Sequence, residues 1–228
     1  MNIARSRVRN RKSVRYSLTA KWIATVVFVL LPASVFANPV SFKDGWGIMP
    51  TYMPDWHDLQ INYSVTNRYS VGLSEYYREA NGHTTTFGLI QGNYLIKRWN
   101  EMESQANVYS SLGLGGRHDS REGDALAGYG ALEADYETRR VYTLISGETL
   151  QSSDGVSFSR VRQRAGLAPY KAPIDEVHTW VIVQTEFMTG MDERWTVTPL
   201  LRFFLNNYAV EVGANLDGEP FLAAMAHF

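Results

Sequence analysis

From residue 44 onward the sequence is written with a period of two. Leu59, Ile61, Tyr63 and Val65 alternate with Asp58, Gln60, Asn62 and Ser64, and Val108, Ser110, Leu112 and Leu114 alternate with Asn107, Tyr109, Ser111 and Gly113. Thr179, Val181, Val183, Thr185 and Phe187 oppose His178, Trp180, Ile182, Gln184 and Glu186 in the same way. Successive side chains of a strand point to opposite faces, so each segment has one apolar and one polar side. Asn81-Gly82, Asp154-Gly155, Asn206-Asn207 and Asp217-Gly218 fall between segments and supply the positive φ that tight hairpins need. Longer polar connections run over 117–124 and 169–176.

The pattern predicts twelve strands: 44–52, 57–66, 69–79, 84–97, 103–116, 124–136, 140–149, 157–168, 177–189, 195–205, 207–215 and 220–228. Ten is the alternative count. No helical stripe, solenoid repeat or low-complexity linker interrupts the series. Pro199 sits inside the tenth strand, where it removes a ladder hydrogen bond, so a bulge is expected there.

The first 21 residues carry seven basic side chains and no acid, and an apolar stretch, Trp22 to Phe36, follows and ends at Ala37. This is the layout of a secretory signal peptide, with cleavage expected after Ala37. Its apolar part is 15 residues long, short of the roughly 20 that a membrane helix needs. Taking those seven from the 22 basic residues leaves 15 against 23 acids, a net charge of −8 on residues 38–228. Nucleic-acid binding thereby loses its electrostatic support. There is no cysteine, which excludes a disulfide framework and any thiolate metal site or nucleophile. We expect no cofactor.

After Ala37 the apolar runs are about four residues long, as in Trp180-Val181-Ile182-Val183, so a membrane could be crossed only by a closed barrel that leaves no backbone group unpaired in lipid. The alternative is a soluble lipocalin-like barrel in the periplasm, with its apolar face turned inward. Aromatic residues near strand ends, among them Tyr69, Tyr94, Tyr136, Tyr142, Trp195, Tyr208 and Phe228, favour the membrane because such rings settle at its interfaces. The last segment carries Leu222, Ala224, Ala226 and Phe228 on one side and stops on that phenylalanine. Alternating strands, tight turns and a terminal Phe together resemble the small bacterial outer-membrane β-barrels. The resemblance implies an all-β, up-and-down, porin-like barrel over 38–228, lying in outer-membrane lipid and lipopolysaccharide. It also implies that the insertion machinery reads the closing strand through Phe228.

Candidate functional residues lie on the polar faces. Arg160, Arg162 and Arg164 occupy alternate positions of one strand, and Arg140 and Arg202 add to the basic set. Glu133, Asp135, Glu148, Glu186 and Glu211 are the acids at expected inward positions. Such a set makes either an arginine track admitting anionic solutes or an ion-pair network that plugs and stiffens a narrow barrel. The near balance of signs favours the network. His118 and Ser120 form a His-x-Ser pair similar to that of outer-membrane phospholipases and lipid A deacylases, although Arg121 follows where an Asn is usual. An ester hydrolase would need the imidazole within hydrogen-bond reach of the hydroxyl; a solvated loop over 117–124 is the plainer expectation. Met49, Met53 and His57 offer copper-type ligands, but spaced four apart they converge only through a turn at Pro54. Acids Asp119, Glu122, Asp124, Asp192 and Glu193 could bridge divalent cations to lipopolysaccharide.

Overall fold

The computed structural model describes residues 38–80, 82–173, 175–190 and 194–228. The expected leader over 1–37, Asn81 of the first Asn-Gly turn, and the loop acids Asp192 and Glu193 lie outside the described residues. Twelve strands follow one another: β1 (Trp46–Met53), β2 (Trp56–Ser64), β3 (Tyr69–Ala80), β4 (His83–Asn100), β5 (Ser104–Asp119), β6 (Gly123–Thr138), β7 (Val141–Ser152), β8 (Ser157–Leu167), β9 (His178–Thr189), β10 (Arg194–Leu205), β11 (Tyr208–Ala214) and β12 (Pro220–His227). Each pairs antiparallel with its neighbours in the chain, and β1 pairs with β12 to close the barrel. The seam runs through Gly47↔His227 and Ile48↔Ala226. It ends where Trp46 and Phe228 exchange backbone hydrogen bonds of 2.6 and 3.0 Å.

The apolar side of the period faces outward. Leu73, Ile90, Leu112, Leu114, Leu126 and Leu132 are exposed over 61% or more of their surface, although each belongs to the middle of a strand. Water would penalise such a continuous apolar girdle, at about 25 cal/mol per Å². Tyr69, Tyr94, Tyr136, Trp195 and Phe228 share the outer face, as expected from the sequence. Tyr142 does not: it is buried inside, with the Arg202 guanidinium 4.3 Å from its ring. The inward faces carry polar and charged groups interleaved with aromatic ones, the reverse of a lipocalin-like interior.

Pro199 needs no bulge. The β9–β10 register runs unbroken through Pro199↔Val183. Val197 turns its carbonyl toward the β11 side, accepting from the Leu216 N–H at 3.0 Å, and alternation points Pro199 the same way. On that side Pro199 falls between the Leu200↔Gly213 pair and the Leu216–Val197 bond, so the ladder forgoes one N–H there and runs on in the same register.

The segment before β1 turns into the barrel at the end where β1 begins and β12 finishes. Val40 is buried against Leu95 and Tyr109. The Ser41 N–H donates to Ser64 Oγ at 2.9 Å, and the Ser70 hydroxyl donates to the Pro39 carbonyl at 2.7 Å. A strand pattern could not announce this, because the residues that hold the segment are spread over β2 to β5.

Where β4 and β5 cross, a Cβ on Gly115 would sit 1.9 Å from the Gly88 carbonyl oxygen, whereas one on Gly88 would meet nothing within 4 Å. Gly115→Ala should therefore lower the unfolding free energy of the refolded barrel by about 1–3 kcal/mol, and Gly88→Ala by no more than ~0.5 kcal/mol. Urea titration in lipid vesicles measures both.

Candidate functional site

The alternate arginines of β8 all point inward, because the β7–β8–β9 registers set Arg160 beside Glu148, Arg162 beside Ser146 and Glu186, and Arg164 beside Leu144 and Gln184. Arg160 pairs with Glu148 through one nitrogen and with Asp58 of β2 at 3.5 Å through another. Its guanidinium also lies 5.4 Å from the Trp56 ring, which stacks on Phe158 at 4.4 Å. Arg162 donates from Nε to Glu186 at 2.8 Å. Arg164 donates to Gln184 at 2.8 Å and to Glu211 at 3.1 Å, and Glu211 also accepts from Arg202 Nε at 2.7 Å. Tyr129 completes the layer by donating to Glu148 at 2.9 Å. Arg160, Arg202, Glu186 and Glu211 are buried. Charges at that depth persist only when opposite charges and hydrogen bonds answer them.

Glu133 faces the same space from β6 without a hydrogen bond or ion pair among the described residues, and Asp135 accepts from Asn107 at 2.8 Å. The opposite wall carries a chain of neutral side chains. Ser74 donates to Gln91, Gln91 to Asn93, and Asn93 to both Asn62 and Ser70, at 2.6–3.0 Å. Arg98 joins the interior through a register shift between Leu95 and Lys97 of β4, and donates to Asn107 at 2.6 Å and to Tyr109 at 3.0 Å. Strict alternation from Leu95 would have turned Arg98 outward; the two successive outward residues Ile96 and Lys97 make a bulge that returns it to the interior. Asp58 is the other partner that the arginine reading overlooked, although its place among the polar residues of β2 gave its face.

Several expected site residues stand apart from this layer. Arg140 lies in the β6–β7 turn and donates to the Ala168 and Pro169 carbonyls. Met49 and Met53 face inward, whereas His57 is on the outer face, stacked between Tyr52 and Tyr77 at 4.5 and 5.3 Å. The two-residue turn pairs Met53 with Trp56, so His57 falls on the opposite face and the three do not converge. Among the described residues no group of His, Asp and Glu is placed to hold a metal.

His118 and Ser120 do not form a dyad. The strand continues through 117–119, so Arg117 and Asp119 are buried, and the solvated loop shrinks to 120–122. His118 Nδ1 lies 2.6 Å from Asp124, while Ser120 Oγ accepts from the Thr84 N–H at 3.1 Å. Arg117 instead ties two hairpins, pairing with Glu122 at 2.9 Å and with Asp154. The Thr85 hydroxyl, helped by backbone N–H groups, holds the Asp119 carboxyl below its ordinary range, and the Ser152 hydroxyl and Arg117 do the same for Asp154. Depressed carboxyls stabilise the fold above the ordinary value of about 4, and that contribution is lost as pH falls through their lower folded values.

Three cavities lie along the barrel. One of about 530 Å³ opens among the hairpin turns, beside Arg78, Glu186 and Phe221. Another of about 530 Å³ opens at the end where β1 begins and β12 finishes, beside Glu137, Trp180 and Phe204. Between them the charged layer leaves about 160 Å³, with Pro39 on its lining.

Closed antiparallel topology, an apolar exterior and a charged interior define a porin-like β-barrel of twelve strands. No protein-family model and no curated protein matches the chain. Among solved structures it is similar to a KdgM porin in complex with disordered oligogalacturonate, at 11% identity and a TM-score of 0.49, over 81% of this chain and 98% of that one. It is also similar to a second KdgM porin structure, at 13% identity and a TM-score of 0.46, over 81% and 98%.

Glu211 answers two arginines, so Glu211→Gln should cost the folded barrel about 3–5 kcal/mol. Glu101→Gln, at an exposed position of the β4–β5 turn, should stay within ~0.5 kcal/mol of the parent. Denaturant titration of the two variants side by side checks the contrast.

Proposed function

We propose that this protein is a non-enzymatic outer-membrane barrel that serves the envelope as a scaffold, with its lumen closed at rest. The observation that carries the reading is the charged layer itself. Every β8 arginine is engaged by a carboxylate, and only about 160 Å³ remains between two mouths of about 530 Å³. An arginine track for passing anions would need guanidinium groups free to exchange partners with solute. The Asn38–Ser41 segment adds a second obstruction at one mouth. Export by the 1–37 leader, contact with lipid and lipopolysaccharide, and recognition of the Phe228 strand by the insertion machinery belong to the same proposal.

One observation favours a second reading, a narrow channel. The three cavities follow one another along the barrel, and displacing a few side chains would join them. The ester-hydrolase reading loses its footing with the His118–Ser120 pair unformed.

Planar-bilayer recording separates the two. The scaffold reading predicts no stepwise conductance from the wild type. Replacing Arg160, Arg162 and Arg164 together by Ala should open current with a preference for cations, because Glu148 and Glu186 are then left unanswered while Glu211 keeps only Arg202. Anion-selective steps from the wild type would establish the track instead. Residence in the membrane has its own check: Leu112→Arg should cost roughly 2–4 kcal/mol of barrel stability in vesicles.

A further inference from the structure

Two groups of the charged layer that face one cavity lack a full set of partners. Arg160, Arg164 and Arg202 are answered by Asp58, Glu148 and Glu211, and Arg162 Nε by Glu186. This leaves Arg162 Nη2, which is buried and has no hydrogen-bond partner. It also leaves the Glu133 carboxylate, which has no ion pair or hydrogen bond among the described residues. Both line the 160 Å³ central cavity. The registers Glu133↔Ser146 and Ser146↔Arg162 put them on one rung of the barrel, with only a serine side chain between. Two strand spacings separate their backbones by about 10 Å, and the long side chains narrow that gap to the span of a small molecule.

We propose that this cavity binds a small zwitterion, a short amino acid whose carboxylate meets Arg162 Nη2 and whose ammonium meets Glu133. The inference deepens the reading of a closed barrel by naming what its central cavity takes. Charge arithmetic selects this class over simpler ions. Of the groups that line the cavity, the paired arginines and carboxylates cancel and Glu133 is the acid left over. A bare anion would satisfy Arg162 but leave Glu133 unanswered, and a bare cation would satisfy Glu133 but leave the buried Nη2 without an acceptor. A ligand carrying both charges completes both groups and adds no net charge. A volume of about 160 Å³ is that of about five waters, which fits glycine or β-alanine. Pro39 closes part of the lining.

The test is calorimetric titration of the full-length mature barrel in detergent micelles with glycine, acetate and methylammonium. Glycine should bind saturably and at least tenfold more tightly than either single-charge probe. Glu133→Gln and Arg162→Gln should each weaken glycine at least tenfold while keeping the heat-modifiable gel mobility of a folded barrel. Acetate binding as tightly as glycine, or no saturable binding by any probe, overturns the proposal, and the wild-type comparison stands even if a variant fails to fold. A wild type lacking heat-modifiable mobility would instead count against the barrel reading itself.

Discussion

Everything in this molecule follows from the demand that a sheet placed in lipid have no free edge. An unpaired backbone N–H or carbonyl in hydrocarbon costs several kcal/mol, and only closure removes a whole row of them. Here closure is made by two short strands, β1 and β12, and its last bonds join Trp46 to Phe228. The terminal phenylalanine therefore completes the ladder with its backbone while its ring joins the outer aromatic face. Once the seam is fixed, alternation leaves each residue only two destinations, lipid or lumen.

That binary choice explains why so much was legible in the sequence. All twelve strands lie within a few residues of the expected segments, and Asp154-Gly155 and Asp217-Gly218 do turn on glycines at φ 94° and 85°. Errors arise where parity is broken or carried through a turn. The shift between Leu95 and Lys97 governs which side Arg98 takes, and no residue type there signals it. The two-residue connection between β1 and β2 mirrors the faces and sends His57 away from Met53. Arg117 and Asp119 look like loop residues by composition, yet they continue β5 because Glu122, Asp154, Thr85 and backbone N–H groups wait for them on neighbouring hairpins. Tyr142 had an interfacial residue type but an inward parity, and parity prevailed because Arg202 offers its ring a cation.

The interior shows what a narrow barrel does with space that lipid cannot fill. One stretch of the wall, from β2 to β5, is joined largely by neutral amides and hydroxyls. Another, from β7 to β11, carries guanidinium and carboxylate in matched pairs. Aromatic rings such as Trp56, Phe158 and Tyr142 fill the gaps and lie against the arginines. Burying charge in this way adds little stability, because desolvation offsets most of the attraction. Its consequence is specificity: a displaced strand register would strand ions without partners, so the layer holds the barrel to one arrangement.

Because the chain has no native cysteine, single cysteines carrying a nitroxide label report the environment of neighbouring residues without interference. Leu112 and Ser111 are adjacent in β5 and face opposite sides. In lipid vesicles a label at 112 should collide freely with dissolved oxygen and be shielded from a water-soluble nickel chelate, while a label at 111 should be sheltered from oxygen. A label at 112 that meets the chelate as readily as bulk water does would contradict the outward-facing apolar belt on which the barrel depends.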